Sequence, residues 1–387
     1  MAIDGSCPDP RELAQFAVGD LLDGKVDAVC EHIVGCAHCT TILRELSHEP
    51  TVDSSISDST KPCIDDPEDR EAIERLIAQL RLSLPIQPTL DAIPLGSRLS
   101  ASETTSKRKS PIDPNEFASR LLRRSDSPSE LGWLGSYRII SVLGYGGMGV
   151  VFEAQDPELG RRVAVKAMLP DLLCRDEYKL RFLREARAAA SIEHDYIVPI
   201  HQVGEQRGVP FFVMPLLKGE SLDIRLSRDG RLSVREVVRI GNQIAIGLAA
   251  AHKCGLVHRD VKPANIWLEQ KGDELPRVKI LDFGLARLEE EESQLTHAGA
   301  IAGTPAFMAP EQARGEHSGA RSDLFSLGCV LYFMATGKPP FSGRNSAAVL
   351  FAINNYHPPV PRDIDPSIPR QLEAIIERLL EKDPTLR

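Results

Sequence analysis

The chain has 387 residues, 42% hydrophobic, 26% charged and 5% aromatic, with 46 basic against 55 acidic side chains and a net charge of -9. That composition is globular, neither collagen-like nor wholly disordered, and the length holds one large domain with additions rather than a single disulfide-stapled module. The acidic balance argues against bulk nucleic-acid binding driven by phosphate attraction. The opening residues Met1-Ala2-Ile3-Asp4-Gly5-Ser6-Cys7-Pro8 lack the basic-then-apolar order of an export signal. The most apolar windows, Ile244 to Ala251 and Leu324 to Ala335, fall short of the roughly 20 residues that a bilayer-spanning helix requires. The chain is therefore expected in the cytoplasm, with no membrane span and with its 8 cysteines reduced.

Residues 1–47 read as a small helical module. Leu13, Phe16, Ala17 and Leu21 have helical spacing, a Cys/His cluster follows, and Ile42, Leu43 and Leu46 suggest a second helix. His32, Cys36 and Cys39 lie four and three residues apart, so successive helical turns bring them toward one point, a geometry suited to tetrahedral zinc. Cys-Pro, a helix and His-x-x-x-Cys-x-x-Cys resemble the anti-sigma-factor-type zinc finger, and that resemblance makes Cys7 the fourth ligand, with Cys30 in reserve. Four protein ligands imply a structural or partner-binding role, the partner being a sigma factor or another protein; apolar packing and a redox thiol pair are the competing readings. Residues 48–130 turn to Ser, Thr, Pro and acid, a flexible-linker composition interrupted by Pro50, Pro62, Pro67, Pro85, Pro88, Pro94, Pro111, Pro114 and Pro128. Within it, Ile73, Leu76, Ile77 and Leu80 allow a helix over 69–84, expected to be transient for want of a core beside it.

From Tyr137 onward, strand-like runs precede long helical runs such as Val234 to Lys253 and Gln371 to Lys382, an α+β order suggesting two lobes. Leu143-Gly144-Tyr145-Gly146-Gly147-Met148-Gly149 sits between strand-like runs, so its glycines belong to a hairpin that can bring N–H groups close to phosphate oxygens. Alone it is as readily an ordinary turn, and the strand after it argues against a dinucleotide fold. In Arg161 to Lys166, a period of two puts Ala164 and Lys166 on one face, which places a small residue against a base and an ammonium against phosphates, unless Lys166 is simply solvated. Glu185, on a helical run from Glu177 to Ala190, is either helix surface or the carboxylate that orients that ammonium. The strongest cluster is His258-Arg259-Asp260-Val261-Lys262-Pro263-Ala264-Asn265 with Asp282-Phe283-Gly284. Phosphoryl transfer needs an aligned nucleophile, divalent cations and positive charge, and these residues can supply a proton acceptor, hard oxygen ligands and a cation.

Together these motifs resemble the Hanks-type serine/threonine protein kinases, most closely their bacterial branch, over residues 137–387. The resemblance implies a two-lobed fold, with a small antiparallel sheet plus one helix above a large helical lobe. It places Leu143, Gly144, Gly146 and Gly149 over ATP, Val151 and Ala164 against adenine, and Met214 before the hinge Pro215-Leu216-Leu217. Lys166, paired with Glu185, meets the α and β phosphates; Asp260 is the base, Lys262 neutralises the moving phosphoryl group, and Asn265 and Asp282 hold Mg2+. Lys262 and Gly303-Thr304-Pro305 match the serine/threonine rather than the tyrosine branch, so the partners implied are proteins with Ser or Thr acceptors. A pseudokinase scaffold that binds nucleotide and proteins is the alternative.

The resemblance also makes Arg259 the arginine that receives a loop phosphate, Thr296 the autophosphorylation site unless it is an unmodified surface threonine, and Thr304 a group bonded near Asp260. Trp267 stands below adenine or packs in the lobe core, and Asp323 braces the catalytic loop. The family's last helix is missing after Arg387, which leaves room for a transmembrane or sensor segment beyond it. A natural end there would put Arg387, expected to pair with Glu311, on a fraying terminus.

Overall fold

A computed structural model of the chain describes residues 7–9, 13, 29, 32, 36, 38–39, 42, 75–76, 78, 121–123, 130–146, 149–173, 175–272, 275–283 and 305–387. Thr296, Thr304, Gly284 and the reserve ligand Cys30 lie outside those residues.

The small lobe is an antiparallel sheet of β1 (Gly132–Leu134), β2 (Tyr137–Tyr145), β3 (Gly149–Asp156), β4 (Arg161–Met168), β5 (Gln202–Gln206) and β6 (Val209–Pro215), in the order β1-β2-β3-β4-β6-β5. Alternation along β4 builds two cores. Val163, Val165 and Ala167 join Phe152, Phe211 and Val213 on the outer face. Ala164 and Met168 join Phe212 and Met214 on the inner face, beneath α1 (Asp176–Ala190). Spacing of three and four puts Tyr178, Phe182, Glu185 and Ala189 on the buried side of α1. Leu121 and Leu122, from the chain ahead of the sheet, help to close the outer face, and Arg123 bridges to Trp133.

The large lobe contains α2 (Leu222–Asp229), α3 (Val234–Lys253), α4 (Pro310–Ala313), α5 (Ala320–Thr336), α6 (Ser346–Asn355), α7 (Pro361–Ile364) and α8 (Arg370–Leu379). A reciprocal Ser233–Glu236 cap starts α3 where the sequence leads one to expect it. The central helix α5 is buried almost throughout, whereas α8 buries only the stripe Leu372, Ile375, Ile376 and Leu379. A second antiparallel sheet, β7 (Gly219–Ser221), β8 (Ile266–Glu269) and β9 (Arg277–Ile280), floors the cleft. No helix among the described residues is long and apolar enough to cross a membrane.

Two expectations change at this level. Arg387 does not fray: it is 4% exposed and forms a two-pronged pair with Glu311 at 2.7 and 2.9 Å. It also donates to the carbonyls of Arg321, Glu381 and Lys382 and lies over the Phe325 ring, so six polar and aromatic contacts fix the last residue. Of residues 69–84 only 75, 76 and 78 are described, and for Leu76 the core that the sequence does not show comes from the large lobe. Arg75, Leu76 and Ala78 are helical, and fully buried Leu76 belongs to the cluster of α3 and α5, close to Gly241 and Leu331.

Candidate active site

The cleft is assembled from one strand of the small lobe and two turns of the large lobe. In β4, Lys166 pairs with Phe212 on one side and Val151 on the other, while Ala164 lies opposite Met214. Val151, Ala164, Lys166 and Met214 therefore stand on the inner face above the hinge. Gly149 must be glycine for packing alone, because a Cβ there would lie 2.5 Å from the Ala167 carbonyl oxygen. Gly144 has nothing within 4 Å of that position and Gly146 meets only the Gly149 carbonyl at 3.9 Å, so both border open space. Leu143 is 49% exposed beside them.

The buried ammonium of Lys166 reaches across the cleft to Asp282 Oδ1 at 2.8 Å. Glu185 is buried on the inner side of α1. On the large lobe, Asp260 Oδ2 accepts from Lys262 Nζ and from Asn265 Nδ2, each at 2.8 Å. The same Asn265 amide also donates to the Asp260 carbonyl at 2.8 Å, so both its N–H groups are committed to Asp260 and its carbonyl oxygen remains as a ligand atom. Leu281 N–H donates to the backbone carbonyl of Asn265 at 2.9 Å, tying the loop that bears Asp260 to the turn that bears Asp282.

Arg259 and Asp282 adopt left-handed backbone angles, φ 65° and 58°, which cost non-glycine residues free energy and persist only when neighbours over-determine them. At Arg259 the neighbour is Asp323, fully buried at the start of α5, whose carboxylate accepts from the backbone N–H groups of His258 and Arg259 at 2.8 and 2.7 Å. Burial opposes ionisation of Asp323, but pairing with His252, aided by His258, outweighs it and holds the carboxyl below the usual range. At Asp282, His258 Nε2 lies 2.8 Å from the Leu281 carbonyl and its ring sits 4.7 Å from that of Phe283. Gln312 of α4 donates to the Arg259 carbonyl at 2.9 Å. The sequence names His258 within the strongest cluster but gives it, His252 and Gln312 no role; their partners lie 23, 71 and 53 residues away, beyond any local pattern. Arg259 Nε is buried without a hydrogen-bond partner among the described residues. Trp267 is outside the large-lobe core: Ile266 and Leu268 point into that core, and the half-buried indole faces the other way, donating to the Lys218 carbonyl at 3.3 Å.

The structure also brings Cys7, His32, Cys36 and Cys39 together, with their donor atoms all within 4.8 Å of one another. The sulfurs of Cys7 and Cys36 are 3.8 Å apart, and His32 Nε2 is buried with no hydrogen-bond partner among the described residues. A hydrogen bond from the Cys39 backbone, ahead of the neighbouring thiols, lowers the Cys36 thiol to about 6, while burial pushes Cys39 up to about 12.

Comparison with known proteins places this geometry. Residues 137–387 match the protein kinase domain family. The chain is 39% identical over 267 residues to a probable serine/threonine-protein kinase of Streptomyces coelicolor, covering 68% of this chain and 39% of that protein. It is 40% identical over 250 residues to the serine/threonine-protein kinase Pkn1 of Myxococcus xanthus, covering 65% and 36%. The chain thus spans about two fifths or less of these curated relatives. Among solved structures, the PknI kinase domain of Mycobacterium tuberculosis superposes with a TM-score of 0.53 at 29% identity, covering 66% of this chain and 92% of that one. With more than half its length matched by that family model, the chain belongs to the protein kinase family.

Proposed function

We propose that this chain is a protein serine/threonine kinase that transfers the γ-phosphoryl group of ATP to Ser and Thr hydroxyls of proteins. The observation that carries the reading is the 2.8 Å contact of Lys166 with Asp282 across the cleft, above the bonded set of Asp260, Lys262 and Asn265. Leu143, Gly144, Gly146 and Gly149 cover the nucleotide, Val151, Ala164 and Met214 line its adenine from above, and Trp267 supplies the floor. Lys166, oriented by Glu185, exchanges its hold on Asp282 for phosphate oxygens. The side-chain oxygen of Asn265 and the Asp282 carboxylate are hard oxygen donors that fit Mg2+, which when bound would spread positive charge over the transferring phosphates. Asp260 orients the acceptor hydroxyl and takes its proton as the new O–P bond forms and the β–γ bridging oxygen departs with its electron pair. Lys262 meets the charge that accumulates on the moving group.

Arg259 is the receiver of a phosphate on Thr296, whose oxygens would form charge-assisted bonds with its Nε, unpartnered among the described residues; the resemblance implies that Thr304 would bond near Asp260. Label transfer from γ-labelled ATP to a generic protein acceptor tests the assignment. The wild-type chain should incorporate far more phosphate than Asp260→Asn, and equal incorporation would leave a pseudokinase scaffold.

For the N-terminal cluster we infer a structural zinc site held by Cys7, His32, Cys36 and Cys39. Two sulfurs about 2.3 Å from one zinc at a tetrahedral angle stand about 3.8 Å apart, the separation found for Cys7 and Cys36. A buried imidazole nitrogen without a partner is costly unless a ligand satisfies it, and among the described residues His32 Nε2 makes no hydrogen bond. Elemental analysis should return about one zinc per chain, lost on Cys36→Ser plus Cys39→Ser.

A further inference from the structure

The chain ahead of the kinase domain touches both lobes. Leu121 and Leu122 close the outer face of the small-lobe sheet, Leu76 enters the large-lobe core, and the N-terminal module rests on α6. In that last contact Leu13, Val29 and Cys39, at 0%, 4% and 0% exposure, form an apolar cluster with Cys36 and Ile42 against Ala347 and Phe351. Ala347 and Phe351 are four residues apart and share one face of α6, while Val349, Ala352 and Ile353 are buried on its other side. A surface helix ordinarily carries charge on its outward face, yet α6 reads Ser-Ala-Ala-Val-Leu-Phe-Ala-Ile-Asn-Asn with no charged residue. Its composition suits a helix covered on both sides, and the cover is this chain's own module. Cys36 and Cys39 belong at once to the metal-capable set and to the surface that meets Ala347 and Phe351.

We propose that the N-terminal module is a metal-pinned latch on α6: zinc at Cys7, His32, Cys36 and Cys39 holds Leu13, Val29 and Cys39 against Ala347 and Phe351. The proposal rests on the zinc reading above. A module of fewer than 50 residues has too small a core to keep its shape without help, so removal of the metal dissolves the apolar cluster and uncovers Phe351. The consequence reaches toward the cleft, because α6 packs against α4 and the Pro305–Phe307 turn, and Gln312 of α4 holds the Arg259 carbonyl. Any protein that binds this face of α6 must first displace the module.

Hydroxyl-radical labelling by water radiolysis reads the exposure of Phe351 directly, with zinc content measured on the same full-length samples. Three samples are compared: the zinc-loaded wild type, the wild type after chelation, and Ala347→Glu. The substitution puts a carboxylate into the contact but leaves all four ligands intact, and it lies in the first turn of α6, where acidic residues favour the helix. The latch predicts low Phe351 labelling in the zinc-loaded wild type and severalfold higher labelling after chelation. It predicts the same rise in Ala347→Glu with about one zinc per chain retained. Unchanged labelling in either case, with zinc present at the start, overturns the latch and leaves the zinc site standing. Folded wild-type protein without zinc overturns both, and the metal content tells the two failures apart. Protection that disappears on dilution would make a second copy the cover and also overturn the latch.

Discussion

In the cleft, Asn265 commits both amide donors to Asp260, and Lys166 holds Asp282 at 2.8 Å. In the N-terminal cluster, His32 Nε2 is buried without a partner among the described residues and two sulfurs stand at the separation of a tetrahedral edge. The first arrangement is electrically self-satisfied, so on the proposed reading nucleotide and Mg2+ would compete with internal pairs, a property suited to reversible loading. The second is held by weak thiol hydrogen bonds, so on the proposed reading its soft donors would gain most from a resident cation. Hard oxygens that exchange and soft donors that retain are what a substrate-linked metal and a structural metal respectively require.

The comparison breaks most visibly at Asp260, the proposed base. Asp260→Asn should lower the phosphotransfer rate by about 10²–10⁴-fold with little change in thermal midpoint, since Asp260 is partly exposed and, among the described residues, its carboxylate is bonded to its local loop; a rate within a factor of two of wild type would remove Asp260 from the chemistry. Next is the buried pair at the chain end. Arg387→Ala leaves Glu311, 3% exposed, without its guanidinium and should cost about 3–5 kcal/mol in denaturant unfolding, whereas Arg228→Ala on the exposed Glu220 pair should barely move the curve.

Acid should act through the same carboxylate. Burial resists the Glu311 charge, yet the Arg387 hydrogen bond and charge, with Ser322, hold its folded pKa below the ordinary value. The stability it contributes is therefore complete above the unfolded pKa of about 4.3 and drains away as pH falls through the lower folded value. Arg387→Ala should flatten that part of the stability curve, as read by thermal unfolding between neutral and acid pH.

Smaller effects separate fold from function. Leu76→Ala removes a fully buried side chain from the large-lobe core and should cost about 2–3 kcal/mol; no change in unfolding would make the 75–78 segment a passive tether. Gly149→Ala should destabilise the small lobe, because its Cβ would approach the Ala167 carbonyl to 2.5 Å, whereas Gly144→Ala, which meets nothing, should leave the thermal midpoint unchanged and be read only in the KM for ATP.

Much of this architecture is legible in local sequence. The run Val234 to Lys253 coincides with α3 because a Ser–Glu cap and an amphipathic stripe mark its start and its face. The period of two in β4 places Ala164 and Lys166 on the cleft side without any structural information. What escapes is what depends on distant partners. Nothing near Leu76 announces that Gly241 and Leu331 will receive it. Nothing near His252 points to Asp323, and the fate of Arg387 depends on Glu311, 76 residues away, rather than on its terminal position. The Cys/His spacing suggests a metal, but the seat of that module on Ala347 and Phe351 is a tertiary fact.

The central claim is that Lys166 and Asp282 converge on one nucleotide and that the product is a phosphorylated hydroxyl amino acid. Its most direct test is phosphoamino-acid analysis after transfer from γ-labelled ATP in Mg2+, run side by side for the wild type, Lys166→Met and Asp282→Asn. The account predicts phosphoserine and phosphothreonine from the wild type and label at background from both variants; label that persists undiminished in the two variants, or that is absent from all three chains, would contradict it.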